Sequence, residues 1–322
     1  MKHIVLPDNT QRRLIFYLAM EEFVARELDE DAFFLWQVNP TVIFGRNQLM
    51  EAEVNVPYCQ ANGINIFRRK SGGGCVYSDQ GNLMLSYVVK GENVGFVFDR
   101  YLRLVELALR KIGIPATVSG RNDIQIAGKK VSGNAFYKVP GKCIVHGTML
   151  FNTNFDHLVE AITPSTDKLQ SKGVASVRQH VTNLSEHTDM GIEDFKTFII
   201  NEFTNGTRML TPEEVARIEE IEKTYLDDGF FNGSNPAYSV SAREKIEGVG
   251  EVILSLNMRH EKIRQVHIAG DFFALDDLAA ELTRRFAGLT VDEAVASLSG
   301  LQAGDYIRNL TNDQLIHLIK KI

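Results

Sequence analysis

The sequence predicts an α+β protein, in which a large strand-rich unit packed with helices precedes a smaller domain. The chain has 322 residues, which is enough for one large and one small domain. Two groups of segments rich in β-branched and aromatic residues occur in its first half, and a fresh strand and helix pattern begins near residue 247. We therefore expect a mixed or antiparallel sheet with packed helices in residues 1–246, and a small α+β domain in residues 247–322.

The large unit begins with a predicted helix at Thr10–Leu28, where apolar and charged residues alternate at helical spacing after a possible cap in DNT. Strands are predicted in FFLWQV, TVIFGRN, NIFRRK and VYSDQGNLMLSYVV, and a helix at Val97–Lys111. The segments DIQIAGKKVSG, which turns at Ala127 and Gly128, and KCIVHGTMLFN supply further strands. Together they predict a sheet covered by helices.

The remaining elements are mostly helical. NFDHLVEAI, DFKTFIINEF and TPEEVARIEEIEKTYL each have a helical pattern, and the last begins with a threonine cap followed by proline and acidic residues. After DDGFFNGSNPAY, the segment EVILSLNMRHEKIRQVHIAG predicts a hairpin, and ALDDLAAELTRRFAG and TNDQLIHLIKKI predict helices. This restart is the basis for placing the second domain at residue 247.

Composition excludes several classes of function. A formal net charge of −6, with 44% hydrophobic and 9% aromatic residues, is typical of a soluble globular protein and offers no basic excess to attract nucleic acid. Cys59, Cys75 and Cys143 fit no CxxC pattern, so we expect a reduced, cytoplasmic protein. Neither a signal peptide nor an apolar run of about 20 residues is visible, so no membrane partner is expected.

The segment FRRKSGGGCVYSDQGN, residues 67–82, places three consecutive glycines behind three basic residues. It matches neither the P-loop nor the dinucleotide fingerprint, because strands are predicted on both sides of the glycines. Glycines let a ligand lie against main-chain amides, and Arg68, Arg69 and Lys70 are suitable donors for a phosphate or carboxylate. The segment therefore predicts an anion site, with a glycine bulge in a sheet as the alternative.

Two further segments contain polar residues on predicted strands. SGRNDIQIAGKKVSGNAFY has Asn122 and Asp123 where a strand begins and Lys129 and Lys130 after a tight turn. Taken alone, the lysines fit a solvated hairpin tip. VHGTMLF contains His146 followed by a glycine, and such a histidine is more often a packed core residue.

The three segments together, in this order, resemble the signature stretches of the lipoate-protein ligase A family. GRNQ at 45–48 and SVRQHVTNL at 176–184 also resemble family landmarks. The resemblance implies a biotin-ligase-like α+β catalytic domain with a small accessory domain. It also implies two reactions: ATP and lipoate give lipoyl-adenylate and pyrophosphate, and the lipoyl group then passes to a lysine of an acceptor protein as an amide.

The resemblance also implies partners and site residues. ATP and Mg²⁺ would act as co-substrates, and the acceptors would be lipoyl domains of 2-oxoacid dehydrogenase E2 subunits or glycine-cleavage H protein, acting with a monomeric ligase. Lys130 matches the catalytic lysine, which contacts the acyl carboxylate and the α-phosphate, and Asp123 matches a catalytic or Mg²⁺-binding carboxylate. Lipoate or adenylate binding is implied for Arg69, Ser71, Gly72, Gly73, Gly74, Tyr77, Asn122, Ser132, Gly133, His146 and Gly147.

Some features leave alternatives open. Tyr137 stands where the family carries arginine, which puts a phosphate contact there in doubt. Cys75 and Cys143 lie in the matching segments, so a cysteine-thioester lipoyl or octanoyl acyltransferase is the alternative enzyme. A lipoate-relaying protein without ligase activity is a further alternative. Movement between the two reactions is expected in the C-terminal domain and in the segment Lys168–Asn183.

Overall fold

The structure is a computed structural model that describes residues 1–91, 93–162, 180–233 and 239–322. Its main feature is an eight-stranded sheet with the strand order β11-β1-β2-β6-β10-β9-β8-β7. These strands are β1 (Lys2–Val5), β2 (Ala32–Trp36), β6 (Asn82–Lys90), β7 (Ala116–Ser119), β8 (Asp123–Ile126), β9 (Lys129–Val139), β10 (Lys142–Leu150) and β11 (Thr207–Met209). The pairs β11-β1 and β1-β2 are parallel and the others antiparallel, which confirms the predicted mixed sheet.

Two hydrophobic layers enclose this sheet, because successive strand residues point to opposite faces. Phe33 and Val145 face the layer that contains helix α4 (Val94–Lys111). Their neighbours Phe34 and Ile144 face the layer built around helix α1 (Leu14–Glu27). Other helices of the large unit are α2 (Met50–Glu53), α3 (Val56–Ala61), α5 (Phe155–Ala161), α6 (Ile192–Phe203), α7 (Pro212–Lys223) and α8 (Asp228–Asn232), with a 3₁₀ turn at Leu184–Glu186.

Helix α1 begins four residues later than predicted, at Leu14. The predicted cap in DNT does not cap it, because Asp8 instead accepts hydrogen bonds from the backbone N–H of Thr10 and from the Arg12 guanidinium. This local turn uses the carboxylate before the helix starts. The predicted cap of α7 is correct: Thr211 and Glu214 form a capping box.

A small three-stranded sheet carries the glycine segment. It consists of β3 (Thr41–Phe44), β4 (Asn65–Arg68) and β5 (Val76–Ser78), in the order β4-β3-β5. Because β4 and β5 both pair with β3, the chain between them must cross the end of β3. At this crossing a Cβ on Gly45, which directly follows β3, would collide with the carbonyl oxygen of Gly73. Close backbone approach therefore accounts for glycine at position 45.

The C-terminal residues form a separate sheet with its own hydrophobic core. Its strands are β12 (Val240–Ile246), β13 (Gly250–Arg259) and β14 (Lys262–Gly270), and its helices are α9 (Leu278–Phe286), α10 (Val291–Ala296) and α11 (Asn312–Ile319), with a 3₁₀ turn at Ala303–Asp305. The predicted hairpin corresponds to β13 and β14. Since β12 pairs with β13 and precedes residue 247, we propose that the C-terminal domain begins before β12 rather than at the predicted boundary.

The C-terminal domain contacts the large unit through the segment that follows β14. Phe273 is 2% exposed and lies in a core cluster of the large unit, with its ring stacked on Phe136 at 5.2 Å and close to Phe98 at 6.0 Å. A second contact is the ion pair of Arg308 with Asp99 at 2.6 Å. The two domains are therefore joined by a buried aromatic anchor as well as by surface charges.

Glu53, the last residue of α2, lies close to two carboxylates of the C-terminal domain. Burial first, and then the charges of Glu251 and Asp271, raise the pKa of Glu53 to about 7. A hydrogen bond from Gln48 and the charge of Arg243 oppose this shift. Ionised Glu53 therefore destabilises the folded protein.

We expect Glu53→Gln to stabilise the protein in a pH-dependent manner. Because the ordinary pKa of this carboxyl is 4.5, wild-type stability falls as the pH rises from 4.5 to 7 and the whole penalty is present above pH 7. The substitution should raise the free energy of unfolding by about 1–3 kcal/mol at pH 8, and the gain should disappear as the pH approaches 4.5. Denaturant titrations across this range check it, and an equal gain at all pH values would contradict it.

Among residues 1–91, 93–162, 180–233 and 239–322, no helix combines the length and apolar character needed to cross a bilayer.

Candidate active site

A cavity of about 690 Å³ lies where the large sheet, the small sheet and the C-terminal domain meet. It is lined by most of the predicted site residues, namely Arg69, Gly73, Gly74, Asn122, Asp123, Lys130, Gly133, His146 and Gly147, but not by Ser71, Gly72, Tyr77 or Ser132. Leu18, Ile43, Val76 and Met84 supply an apolar part of the wall. The volume is typical of small-molecule sites, and the lining suits a ligand with an apolar tail and an anionic head.

Lys130 and Asp123 form an ion pair at the polar part of this cavity. Lys130 Nζ lies 2.7 Å from Asp123 Oδ1, and the side chains are 36% and 27% exposed. They come from adjacent strands, β8 and β9, joined by the predicted turn at Ala127 and Gly128, both with positive φ. A Cβ on Gly133 would lie only 2.6 Å from Lys130 Nζ. Gly133 thus leaves room for the lysine side chain to lie over β9.

The backbone of Lys130 is fixed by a second chain segment. Its N–H donates to the carbonyl of His180 at 2.8 Å, and its carbonyl accepts from Thr182 N at 3.0 Å. These bonds form a parallel bridge between Lys130 and Val181. The sequence predicts movement in the segment Lys168–Asn183 and a family landmark at 176–184. The residues of both stretches up to 179 lie outside the described part of the chain.

Arg69 is buried and binds mainly to backbone carbonyls. Its Nη2 donates to the carbonyls of Gly72 and Gly74, each at 2.7 Å, and its Nη1 to the carbonyl of Ile43 at 3.2 Å. Burial lowers the pKa of Arg69 to about 10, so the guanidinium stays charged at neutral pH. Arg69 therefore fixes the glycine run while contributing a positive charge to the cavity wall.

The other two basic residues of the segment face elsewhere. The Arg68 guanidinium donates to the carbonyls of Arg46, Gln48 and Phe231. Lys70 Nζ lies 2.6 Å from a carboxylate oxygen of Glu22. Neither side chain lines the cavity, so the idea that all three basic residues serve one anion site is wrong for Arg68 and Lys70.

His146 lies in a buried hydrogen-bonded chain. Its Nδ1 lies 2.8 Å from Glu21 Oε2, and its Nε2 lies 2.8 Å from Ser71 Oγ. Ser71 Oγ also accepts from Arg69 Nε at 3.0 Å. Glu21 and Ser71 are fully buried, so Ser71 orients His146 and Arg69 rather than lining the cavity itself.

Glu21 is a residue that the sequence reasoning missed. Its second oxygen accepts from Ser86 Oγ, which in turn accepts from Trp36 Nε1 at 2.8 Å. The signal was present in LIFYLAMEEFVA, where two adjacent carboxylates interrupt an otherwise apolar helix face. A carboxylate buried in such a position needs hydrogen-bonding partners, which here lead to His146.

The three glycines of the run have different surroundings. Gly73 and Gly74 line the cavity, whereas a Cβ on Gly72 would collide with the carbonyl of Phe272 in the C-terminal domain. Gly73 has a φ of +86°, and its N–H donates to that same carbonyl at 3.2 Å. Close approach of a ligand therefore does not explain Gly72, which instead permits docking of the C-terminal domain.

Four other predicted residues have clear positions. Tyr77 is fully buried in the core of the small sheet, and Ser132 is buried beside Asn134, so neither reaches the cavity. Gly147 lines the cavity, and a Cβ there would collide with the side-chain oxygen of Asn134. The side chain of Asn122 donates to the backbone carbonyl of Asn134 at 2.8 Å, which holds it at the start of β8.

The cysteines are poorly suited to nucleophilic attack. Cys75 lines the cavity, but burial raises the pKa of its thiol well above the usual value, so the reactive thiolate is disfavoured. Cys143 is buried and its Sγ donates to the carbonyl of Gly91 at 3.2 Å, away from the cavity lining. The geometry therefore argues against a thioester route.

Tyr137 does not provide the positive charge that arginine would. Its hydroxyl is buried, and burial raises its pKa well above the usual value, so it stays a neutral phenol. The ring packs against the hydrophobic layer around α1, 6.1 Å from the His146 ring. Among the described residues, the arginines and lysines that line the cavity are Arg69, Arg121, Lys130 and Lys245.

The Mg²⁺ ion that the family resemblance implies would have one carboxylate ligand here, Asp123. Within the described residues, no group of three or more acidic, histidine or cysteine side chains is arranged to bind a metal. A single carboxylate is nevertheless sufficient where phosphate oxygens and water complete the octahedron. Asp123 faces the cavity and can supply that one ligand.

Comparison with known proteins agrees with this geometry. Residues 14–204 match the model of the lipoyl protein ligase A/B catalytic domain, and residues 235–319 match that of the bacterial lipoate protein ligase C-terminus. Lipoate-protein ligase LplJ of Bacillus subtilis is 34% identical over 317 residues, which cover 94% of this chain and 95% of that protein. The chain belongs to the lipoate-protein ligase family.

Several solved structures have the same fold. LipL1 of P. falciparum, solved with lipoate, superposes with a TM-score of 0.81 at 21% identity over 100% of this chain and 99% of that one. A lipoate-protein ligase A bound with ATP gives 0.63 at 25% identity, over 71% and 97%. The archaeal bipartite lipoate ligase of Thermoplasma acidophilum, described with its E2 lipoyl domain, gives 0.66 at 26% identity, over 74% and 100%.

Proposed function

We propose that this ligase activates lipoate with ATP in the cavity and then transfers the lipoyl group to a lysine of an acceptor protein. The observation that carries this proposal is the Lys130–Asp123 ion pair, which faces a cavity with an apolar part and a polar part. The polar part has four basic residues (Arg69, Arg121, Lys130 and Lys245) against three acidic ones (Asp123, Glu247 and Asp271). An apolar acyl tail, a carboxylate and phosphates match these two parts. ATP, Mg²⁺ and lipoate are the co-substrates, and the ligase acts as a monomer.

In the first reaction a carboxylate oxygen of lipoate attacks the α-phosphorus of ATP. A bond forms between that oxygen and phosphorus, and the bond to pyrophosphate breaks. Two anions approach each other, so a fixed positive charge beside them lowers the barrier. Lys130 supplies it, since Gly133 leaves room for its side chain and Asp123 holds its Nζ. Asp123 would hold a Mg²⁺ ion together with phosphate oxygens of the nucleotide, and that ion would neutralise further charge.

In the second reaction the amine of the acceptor lysine attacks the carbonyl of lipoyl-adenylate, and AMP leaves. The amine must be neutral to attack, although a free lysine is mostly protonated at pH 7. Asp123 is a candidate to take the proton, because its carboxylate is 27% exposed beside the cavity. The phosphate of the adenylate is the other candidate.

We expect Asp123→Ala to slow transfer from preformed lipoyl-adenylate by at least about 10²-fold, which is at the low end for loss of a general base. The measurement is single-turnover transfer to an acceptor domain from chemically supplied adenylate, which removes the ATP and Mg²⁺ requirement. A transfer rate equal to that of wild type would exclude Asp123 as the proton acceptor and leave the adenylate phosphate.

Membership of the lipoate-protein ligase family is the basis for the acceptor proteins proposed here, and mass measurement of each acceptor tests them. We propose lipoyl domains of 2-oxoacid dehydrogenase E2 subunits and glycine-cleavage H protein. Intact mass of each unmodified acceptor, before and after incubation with enzyme, ATP, Mg²⁺ and lipoate, should show addition of one lipoyl group. The matched control is the same acceptor with its target lysine replaced by arginine. Modification of the control, or none of either acceptor, would contradict the assignment.

We expect the double variant Cys75→Ser with Cys143→Ser to retain ligation within about threefold of wild type. Cys143 is buried away from the cavity, and the thiolate of the half-buried Cys75 is disfavoured. The measurement is lipoyl transfer from ATP and lipoate to an acceptor domain. Loss of transfer in a folded double variant, together with a lipoyl thioester trapped on the wild type, would instead support the acyltransferase alternative.

A further inference from the structure

Arg121 is a cavity residue whose function neither the motif comparison nor the proposed mechanism uses. It lies in the turn between β7 and β8, two residues before Asp123. Its side chain is 17% exposed, and it lines the same cavity as Lys130. A guanidinium at this position adds a fixed positive charge to the polar part of the site.

This guanidinium forms an ion pair with a carboxylate of the C-terminal domain. Arg121 Nη2 lies 3.1 Å from Asp271 Oδ2, and Nη1 lies 3.4 Å from Asp271 Oδ1, so the two groups meet as a fork. Arg121 Nη1 also donates to the carbonyl of Val249. A Cβ on Gly250 would collide with both Arg121 and Asp271. The start of β13 is therefore shaped around this pair.

Docking of the C-terminal domain places Asp271 in the cavity. Asp271 directly follows β14 and precedes Phe272 and Phe273, which contact the glycine run and the catalytic core. Its Oδ1 accepts from the backbone N–H of Glu251 at 2.5 Å. The carboxylate is thus held by its own domain and presented to Arg121 across the interface, where it also lines the cavity.

A guanidinium fork binds carboxylates and phosphates with the same bidentate geometry. We propose that Arg121 binds a phosphate group of ATP and that Asp271 competes with the nucleotide for it. This inference rests on the proposed function of the cavity. It makes the C-terminal domain a determinant of nucleotide affinity, since each bound nucleotide must displace Asp271 from Arg121.

Two substitutions separate the competitor from the binding residue. Asp271→Asn removes the negative charge but keeps an oxygen that can accept from Glu251 N, so Arg121 becomes available. Arg121→Met removes the guanidinium, and Arg121→Lys keeps a charge without the fork. If the proposal is correct, Asp271→Asn does not change nucleotide affinity in the Arg121→Met background, because the guanidinium for which Asp271 and the nucleotide compete is absent.

The experiment is calorimetric titration of the full-length protein with ATP, and separately with inorganic pyrophosphate, in the absence of lipoate. We expect Asp271→Asn to bind both about fivefold more tightly. Arg121→Met should bind at least about tenfold more weakly, with Arg121→Lys between it and wild type. The double variant Arg121→Met with Asp271→Asn should bind ATP and pyrophosphate with the same affinity as Arg121→Met alone. Asp99→Asn is the matched control, because it removes a second interdomain ion pair, which lies away from the cavity.

Each contrary result identifies what fails. Unchanged or weaker binding by Asp271→Asn overturns the competition, while the proposed function survives because wild type still binds ATP. If Asp99→Asn increases nucleotide affinity as much as Asp271→Asn does, weaker contact between the domains is responsible for both effects. That result also overturns the competition. Wild type that binds neither ATP nor pyrophosphate contradicts the proposed function and this inference together.

Discussion

Replacing Lys130 with methionine should lower the rate of lipoate-dependent pyrophosphate release by about 10²–10³-fold, the usual effect of losing one group that stabilises developing charge. Methionine keeps much of the side-chain length but removes the charge beside the cavity. The interaction with Asp123 at 2.7 Å is lost as well. Release from ATP and lipoate without an acceptor, measured at saturating substrate, gives the comparison.

The matched control for this prediction is Lys129→Met. Lys129 is the neighbouring residue on β9, is exposed and does not line the cavity. It should keep activity within about twofold of wild type, as surface substitutions usually have small effects. Similar losses in both variants would show that the hairpin, rather than the charge of Lys130, is what the reaction requires.

Phe273→Ala should lower the free energy of unfolding by about 3–5 kcal/mol, the range for loss of a buried phenylalanine. The ring is 2% exposed, stacks on Phe136 and belongs to the C-terminal domain while filling the core of the catalytic domain. Its removal leaves a cavity at the domain contact. Denaturant unfolding followed by circular dichroism measures the loss. If the contact between the domains is lost first, the catalytic domain and the C-terminal domain should unfold in two separate transitions.

Phe96→Ala is the control for Phe273→Ala. Phe96 lies in the first turn of α4 and is 66% exposed, so its removal should change stability by less than about 0.5 kcal/mol. A change of under 1 kcal/mol for Phe273→Ala would contradict the description of this residue as the anchor between the domains.

Local patterns predicted the hairpin that carries Lys130 and Asp123, whereas their roles in the site followed only from the family resemblance, because lysines at such a turn otherwise fit a solvated tip. Lys130 and Asp123 are brought together by a two-residue turn whose Ala-Gly pair is visible in the sequence. The alternation of apolar residues likewise indicated strands with two buried faces. Such contacts involve neighbours in the chain, which local patterns describe well.

Other parts of the site depend on contacts between distant segments. Gly72 looked like a ligand-binding glycine, but the group that requires it is the carbonyl of Phe272, 200 residues further along the chain. Glu21 was missed because its partner His146 is far from α1 along the chain, although the two side chains are in contact in the fold. Tyr77 lies within the matching segment, yet strand alternation directs its side chain into the core of the small sheet. Motif spacing gives positions but not side-chain directions.

The central claim is that this cavity forms an acyl-adenylate before any acceptor is present. The most direct measurement is pyrophosphate release by wild-type enzyme with ATP and Mg²⁺, with and without lipoate and without acceptor protein. The account predicts release that requires lipoate and is accompanied by lipoyl-adenylate in the acid-quenched mixture. Lipoate-independent release, or transfer to an acceptor without any pyrophosphate, would contradict it.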